Sequence, residues 1–169
     1  KQEKQHSDKA GEIIMKKKKQ ALIIPRLVIS PGTLETIRTE ALKYGSFETG
    51  GLLMGEKNMH GKSYTLVLKK ATGPGLFSEH AVHHFIPDVD HYKKELKEEL
   101  YRNGLVYLGE WHKHPGMFNS PSCTDLDTMK SITKDDQTKD ILAIIATTPT
   151  PEERTQTGEI VNTDFYYYQ

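Results

Sequence analysis

The sequence predicts an α/β fold, a mixed β-sheet flanked by helices, and three observations carry that expectation. Segments with strand character alternate along the chain with segments of helical periodicity. Two strand-like segments, ETGGLLMGE and KSYTLVLKK, follow one another closely enough to be hairpin neighbours, so the sheet is not purely parallel. ILAIIATT, residues 141–148, is the most hydrophobic run and reads as a central strand.

ALIIPRLVI, residues 21–29, predicts the first strand, and Pro25 puts it at a sheet edge or makes it begin late. SPGTLETIRTEALKYG predicts a helix with Ser30 at the N-cap, Pro31 at the first helical position and Gly45 as the stop. Leu34, Ile37, Ala41 and Tyr44 recur at helical spacing and form its expected buried face. A buried strand is expected at Gly51–Gly55, and the next strand sets Tyr64, Leu66 and Leu68 on one face. ATGPGLFSEHAVHHF is a Gly/Pro-punctuated connection that leads into a short extended piece at Val82–Ile86. PDVDHYKKELKEELYRNG predicts a second helix, opened by Pro87 and Asp88 and closed at Asn103–Gly104. Val89, Tyr92, Leu96 and Leu100 should face inward, leaving its Lys/Glu-rich side solvated. LVYLGEWH reads as a strand, Ser122–Ile132 as a third helix with Asp125 in its first turn, and EIVNTDFYYY as the last strand. In the run Tyr166–Tyr168 the middle ring should lie on the opposite side from its neighbours. Residues 1–20 are expected to be a polar tail or linker, and residues 21–169 one domain.

Composition excludes several classes of function. Lys plus Arg and Asp plus Glu both number 23, so the formal net charge is zero and nothing global attracts nucleic acid or an anionic membrane. No apolar run approaches the ~20 residues of a membrane span. The segment KKKKQALIIPRLVIS has the outline of a signal peptide, but Pro25 and Arg26 interrupt it and no small-residue cleavage site follows. A single cysteine, Cys123, forms no internal disulfide and fits a reducing compartment, so a cytoplasmic protein is expected.

The chemistry concentrates in GEWHKHPGMFNSPSCTD, residues 109–125. A strand alternates its side chains, so His112 and His114 point the same way. Pro115 then ends the pairing and turns the chain. Asp125, early in the next helix, can return to the same point. Two imidazoles and a carboxylate suit a borderline divalent metal, most often zinc, and three protein ligands leave a position open for water. A lone His-x-His pair means little; with Pro115, Ser122 and Asp125 in phase it becomes a strong signal. A catalytic water also needs a base. Glu48, in FETGGLLMG, is one candidate, since an acidic side chain next to a core strand is unexpected without a role. The bland alternative is a surface glutamate in a turn, but the glycine pair after it implies close backbone approach. Glu110 is the rival base, sharing the ligand face, or else a partner for one of the imidazoles.

Glu48, then His112-Lys113-His114-Pro115, then Ser122-Cys123-Thr124-Asp125 resembles the JAMM signature of the MPN/JAB metalloproteases. The resemblance covers about residues 21–169 and every motif position is filled. It implies an MPN (JAB) fold, zinc on His112, His114 and Asp125, Glu48 as general acid–base, and Ser122 as an oxyanion donor. It also implies cleavage of an isopeptide or peptide bond at the C-terminus of a ubiquitin-like protein, whose tail lies as an added strand beside the metal. Lys113 departs from the Ser or Thr of many members and is expected to tune the groove. GEWHKHPGMFNSPS and FIPDVD look like a bacterial subgroup encoded beside E1-like and E2-like proteins in ubiquitin-like conjugation systems, some of them anti-phage. The chain looks like a minimal catalytic domain without the insertions that grip a second ubiquitin.

The remaining residues carry blander readings. His80, His83, His84 and His91 lack a matching carboxylate set, so exposed or groove-lining positions are expected in place of a second metal site. Cys123 is expected to be a buried small residue. Trp111 is either core or groove, and points away from the ligand face. Competing functions are a peptidase for sulfur-carrier proteins or small peptide adducts, and a non-catalytic MPN scaffold. A zinc nucleoside deaminase is disfavoured, because H-x-E with P-C-x-x-C is absent.

Overall fold

A computed structural model describes residues 24–61, 63–134, 138–157 and 161–169. The expected tail at 1–20 and the first three residues of the expected first strand lie outside them. Along the chain run β1 (Arg26–Ile29), α1 (Pro31–Lys43), β2 (Thr49–His60), β3 (Ser63–Ala71), β4 (Glu79–His80), β5 (Phe85–Ile86) and α2 (Val89–Asn103). They are followed by β6 (Val106–Pro115), α3 (Cys123–Thr133), β7 (Ile141–Thr148), α4 (Pro151–Thr157) and β8 (Asn162–Tyr168). Six strands form one mixed sheet in the order β1-β3-β2-β6-β7-β8, and β4 with β5 forms a separate small hairpin. β1 is an edge strand, as Pro25 implied. β7 is interior, but the central pair is β2 and β6, with β7 one strand in from the β8 edge.

The two faces of the sheet carry different cores. α1 covers one face, where Ile37 and Ala41 pack with Leu53, Leu66, Leu68, Trp111 and Ile144. α3 covers the other, where Met129 meets Ile141 and Ala143, with Tyr107, Tyr166 and Tyr168 around them. Tyr167 packs on the first core, so the tyrosine run alternates as expected. Tyr64, Leu66 and Leu68 are all buried, also as expected.

Two features of β6 and its partner fix the sheet. Between Leu53 and Met54 the β2–β6 register jumps from Gly109 to Tyr107, so Leu108 has no partner. This bulge lets Leu108 and Trp111 share one face, and Tyr107 shares the other with Glu110. Gly109 adopts φ +153°, and a Cβ there would stand 1.7 Å from the Leu142 carbonyl oxygen. The second feature is the Gly50–Gly51 pair. A Cβ on Gly51 would stand 1.9 Å from the Thr72 carbonyl oxygen and 2.5 Å from Trp111 Nε1, which donates a hydrogen bond to that carbonyl at 2.9 Å. The close approach implied by the glycine pair is therefore to the core tryptophan and the chain beside it.

Three expectations need correction. In α2 only Tyr92 is buried, whereas Val89 and Leu100 are 52% and 58% exposed. Lys70 of β3 pairs with Glu95 and Glu99, at 2.7 and 2.6 Å, so two residues of the supposed solvated side face the sheet. In α1 the third buried residue is Thr33, while Leu34 and Tyr44 are half-buried. Ser30 makes no side-chain cap bond to the backbone; its hydroxyl pairs with that of Thr33 at 2.7 Å. Finally, α4 was not anticipated, although Thr150-Pro151-x-Glu153 carries a start signal. The Thr150 amide donates to Glu153 Oε2 at 2.6 Å, and the Glu153 amide to Thr150 Oγ1 at 3.3 Å, a reciprocal cap.

Gly109→Ala and Gly51→Ala should each destabilise the chain by about 3 kcal/mol or more, because a backbone carbonyl blocks the new methyl. Gly32→Ala, with nothing within 4 Å of its Cβ position, should stay within about 1 kcal/mol of the parent. Denaturant unfolding of the three variants decides the point.

Candidate functional site

The end of β6 and the start of α3 bring three donor groups together. His112 and His114 share a face, with their Nε2 atoms 2.9 Å apart. His114 Nδ1 donates to the Phe118 carbonyl at 2.9 Å, so in the neutral ring Nε2 carries the lone pair, facing His112. Asp125 is delivered by a capping box at the start of α3. The Ser122 amide donates to Asp125 Oδ2 at 2.6 Å, and the Asp125 amide donates to Ser122 Oγ at 3.2 Å. The two carboxylate oxygens then stand 3.4 Å from His112 Nε2 and 3.4 Å from His114 Nε2. One ligand atom from each residue lies within 4.8 Å of the others, a set that can hold a metal ion.

Electrostatics agree with a site built for a cation. Burial opposes charge on Asp125, yet hydrogen bonds from His112, His114 and Ser122 hold its carboxyl far below the usual carboxylate range. Burial also opposes charge on His114, and its bonds to Asp125 and Phe118 outweigh that and raise its pKa. Three acceptors converge on one point, and only a positive charge, proton or metal, reconciles them.

Glu48 lines the same cavity, of about 850 Å³, as His112, His114 and Asp125. Its peptide is held on both sides by the β4–β5 hairpin. The Glu48 amide donates to the Ala81 carbonyl at 2.7 Å, and His80 Nδ1 donates to the Glu48 carbonyl at 2.9 Å. His80 is stacked between Tyr44 and Phe85, at centroid distances of 3.9 and 5.4 Å. Burial pushes the Glu48 carboxyl above its ordinary pKa, with both imidazoles pulling it partly back. Glu110 lines the cavity too, but Tyr107 donates to its Oε1 at 3.2 Å. Burial raises its pKa as well.

A family model described as prokaryotic homologs of the JAB domain matches residues 30–158. The chain belongs to that family. Two relatives are named "CD-NTase/cGAS isopeptidase". The one from Enterobacter hormaechei subsp. hoffmannii (strain UCI 50) is 33% identical over 108 residues, 63% of this chain and 57% of the relative. The one from Escherichia coli (strain TW11681) is 30% identical over 117 residues, 63% of this chain and 60% of the relative. The matched stretches thus span less than two thirds of either relative's length. The solution structure of protein DSY2949 from Desulfitobacterium hafniense superposes with a TM-score of 0.59 at 19% identity, covering 83% of both chains, and supports the fold.

Within this JAB domain Lys113 and Cys123 sit elsewhere than expected. Lys113 does not touch the groove. Alternation sends it to the α1 face, where it is fully buried. Cys123 is exposed, not buried, because the capping box turns Ser122 and Asp125 toward the site and leaves Cys123 outward. His83 and His84 line the cavity, His80 braces Glu48, and His91 lies half-buried at the start of α2. Trp111 is core, only 1% exposed. The bracing by His80 is a contact across 32 residues with no signal in local sequence; the Phe118 carbonyl lies only four residues from His114, in the turn that Pro115 opens. No helix among the described residues is long and apolar enough to cross a membrane.

The raised pKa of His114 sets a pH dependence for the metal-free protein. Its charged pairing with Asp125 stabilises the fold fully below the unfolded value of about 6.5, and is lost as pH rises through the higher folded value. Metal binding runs the opposite way, since the imidazoles must be neutral to ligate. With a chelator, Tm should fall from about pH 6 to about pH 8; with added divalent metal it should rise over the same window. Parallel melting curves would remove the assignment of these histidines.

Proposed function

We propose that this JAB domain is a zinc-dependent isopeptidase that cleaves after the C-terminal tail of a ubiquitin-like protein, releasing it from a conjugate or a precursor extension. We place it in a prokaryotic conjugation system that modifies a CD-NTase-type enzyme and acts in antiphage defence. The observation that carries the reading is the convergence of His112, His114, Asp125 and Glu48 on one open cavity. Two nitrogens and one oxygen are a zinc donor set with a position left open. His112 and His114 would hold the ion through Nε2 atoms 2.9 Å apart, and Asp125 through a carboxylate whose two oxygens stand 3.4 Å from one imidazole each. The printed name of the two relatives supports the bond type and the target class.

The chemistry a bound zinc ion supplies here is Lewis acidity, which polarises a carbonyl and lowers the pKa of water. The chain's own groups move the protons. Glu48 takes a proton from the attacking water and returns it to the leaving amine. Its burial raises the carboxyl's pKa toward the range in which one group serves as both base and acid. Ser122 Oγ accepts from the Asp125 amide, so its own hydroxyl hydrogen remains to donate to the oxygen that becomes negative during attack. The extended tail lies in the groove beside the ligands, its main chain hydrogen-bonded as an added strand.

Purified wild type and Glu48→Gln should both carry about one zinc per chain. Wild type should cleave a ubiquitin-like protein joined through its C-terminus to a lysine of a CD-NTase-type enzyme, and Glu48→Gln should be slower by about 10²–10⁴-fold. Cleavage undiminished in Glu48→Gln would remove the base assignment. Zinc-loaded wild type that cleaves sulfur-carrier precursors but no ubiquitin-like conjugate would replace the substrate class.

A further inference from the structure

Lys113 is a buried charge that the reaction does not use. It stands on β6 between the two histidine ligands, with no solvent exposure. Lysine is almost never fully buried without a partner. Here the partners are main-chain carbonyls: Nζ donates to Ala41 at 3.1 Å and to Gly45 at 2.6 Å. Ala41 lies in the last turn of α1, where carbonyls lack helical partners and a cation meets the negative end of the helix dipole.

These two contacts bear on Glu48 through chain connectivity. Gly45 precedes Glu48 by three residues, and Thr49 follows it. Thr49 is the β2 residue directly opposite Lys113 in the β2–β6 ladder. One residue therefore holds both ends of the segment from Gly45 to Thr49, its backbone at the Thr49 end and its ammonium at the Gly45 end. The same residue is flanked by His112 and His114. The segment that carries Glu48 is thus tied to the strand that carries both histidines, in addition to its bonds with the β4–β5 hairpin. A shorter side chain at 113 cannot span from the strand to the end of α1, and an apolar one leaves both carbonyls unpaired.

We propose that Lys113 is a positioning residue, which sets the place of Glu48 against the His112–His114–Asp125 ligand set by bracing the end of α1 and the loop that follows it. The proposal rests on the reading of Glu48 as the general base. Bracing of this kind acts on turnover more than on substrate binding, because a misplaced base costs rate once the substrate is bound.

The test is steady-state cleavage by the full chain, with zinc content and thermal melting measured alongside. Lys113→Met keeps most of the volume and removes the donors. Its kcat should fall by about 10²-fold with KM unchanged within about two-fold and zinc still near one per chain. Lys113→Ala removes the equivalent of n-propylammonium, so adding that ion should restore kcat in a saturable way, while n-propanol of similar size should not. This second variant also decides the matter if Lys113→Met fails to fold. A folded, zinc-loaded Lys113→Met with wild-type kcat overturns the proposal, as does loss of zinc in parallel with loss of activity. Equal rescue by propanol and propylammonium overturns it too, since filling space would then suffice. Glu48→Gln is run in the same assay: if it is fully active the base assignment itself has failed, whereas an inactive Glu48→Gln beside an active Lys113→Met confines the failure to Lys113.

Discussion

The structure depends on the placement of β6. This strand is paired on both edges, antiparallel to β2 and parallel to β7, so its register leaves no freedom to slip. Past the bulge at Gly109, each successive side chain has an obligatory destination. Trp111 goes into the α1-side core and donates to the Thr72 carbonyl, His112 goes to the cavity, Lys113 returns to the α1 side, and His114 goes to the cavity. A slip of one residue would bury two imidazoles beneath α1 and push an indole and an ammonium into the groove. The register that buries the tryptophan is therefore the one that builds the ligand pair. The hydrophobic core and the site are specified by the same hydrogen-bond ladder.

This coupling explains which parts of the molecule were legible in the sequence. Alternation is a local property, so the order Trp111-His112-Lys113-His114 puts His112 and His114 on a shared face directly. Ser122 and Asp125 were legible because a capping box has its own three-residue signature. The identity of the family followed from these residues with Glu48, and the mixed sheet from the order of strands and helices. What could not be read were contacts whose partners lie far apart along the chain. His80 meets Glu48 across 32 residues, and Lys113 reaches Gly45 across 68. The α2 face was misjudged for a related reason. Its apolar positions suggest one stripe, but Glu95 and Glu99 meet a lysine on β3, a partner that lies 25 and 29 residues away along the chain. The Cys123 expectation failed because the cap, not residue type, sets which way the first turn of α3 faces. α4 is different: its reciprocal cap was in the sequence and went unread.

The cavity concentrates negative and lone-pair character at Asp125, His112 and His114. Lys113 is near in sequence but faces the other side of the sheet. A proton on His114 supplies positive charge beside Asp125 when no metal is bound, and a metal would displace it. The site consequently has two ways to satisfy Asp125, protonated histidine or bound metal, and they exclude one another. Such an arrangement lets the same residues support the fold before loading and release their protons on loading.

Two carboxylates face this cavity, and their surroundings favour different duties. The Tyr107 hydroxyl donates to Glu110 Oε1, and burial holds that carboxyl above its ordinary pKa. Burial raises the Glu48 carboxyl as well, and His114 and His112 draw it partly back. Its backbone is bonded through both amide and carbonyl to the hairpin, and its neighbours are braced from β6. A group that must meet a reacting proton to within a fraction of an ångström needs such support, whereas a group that merely adds negative field does not. Both carboxylates are supported, Glu110 through its strand and its own side chain, Glu48 through its peptide. The Tyr107 bond occupies a carboxylate oxygen of Glu110, which supports the proposed division: Glu48 as the proton carrier, Glu110 as a tyrosine-bound wall of the same pocket.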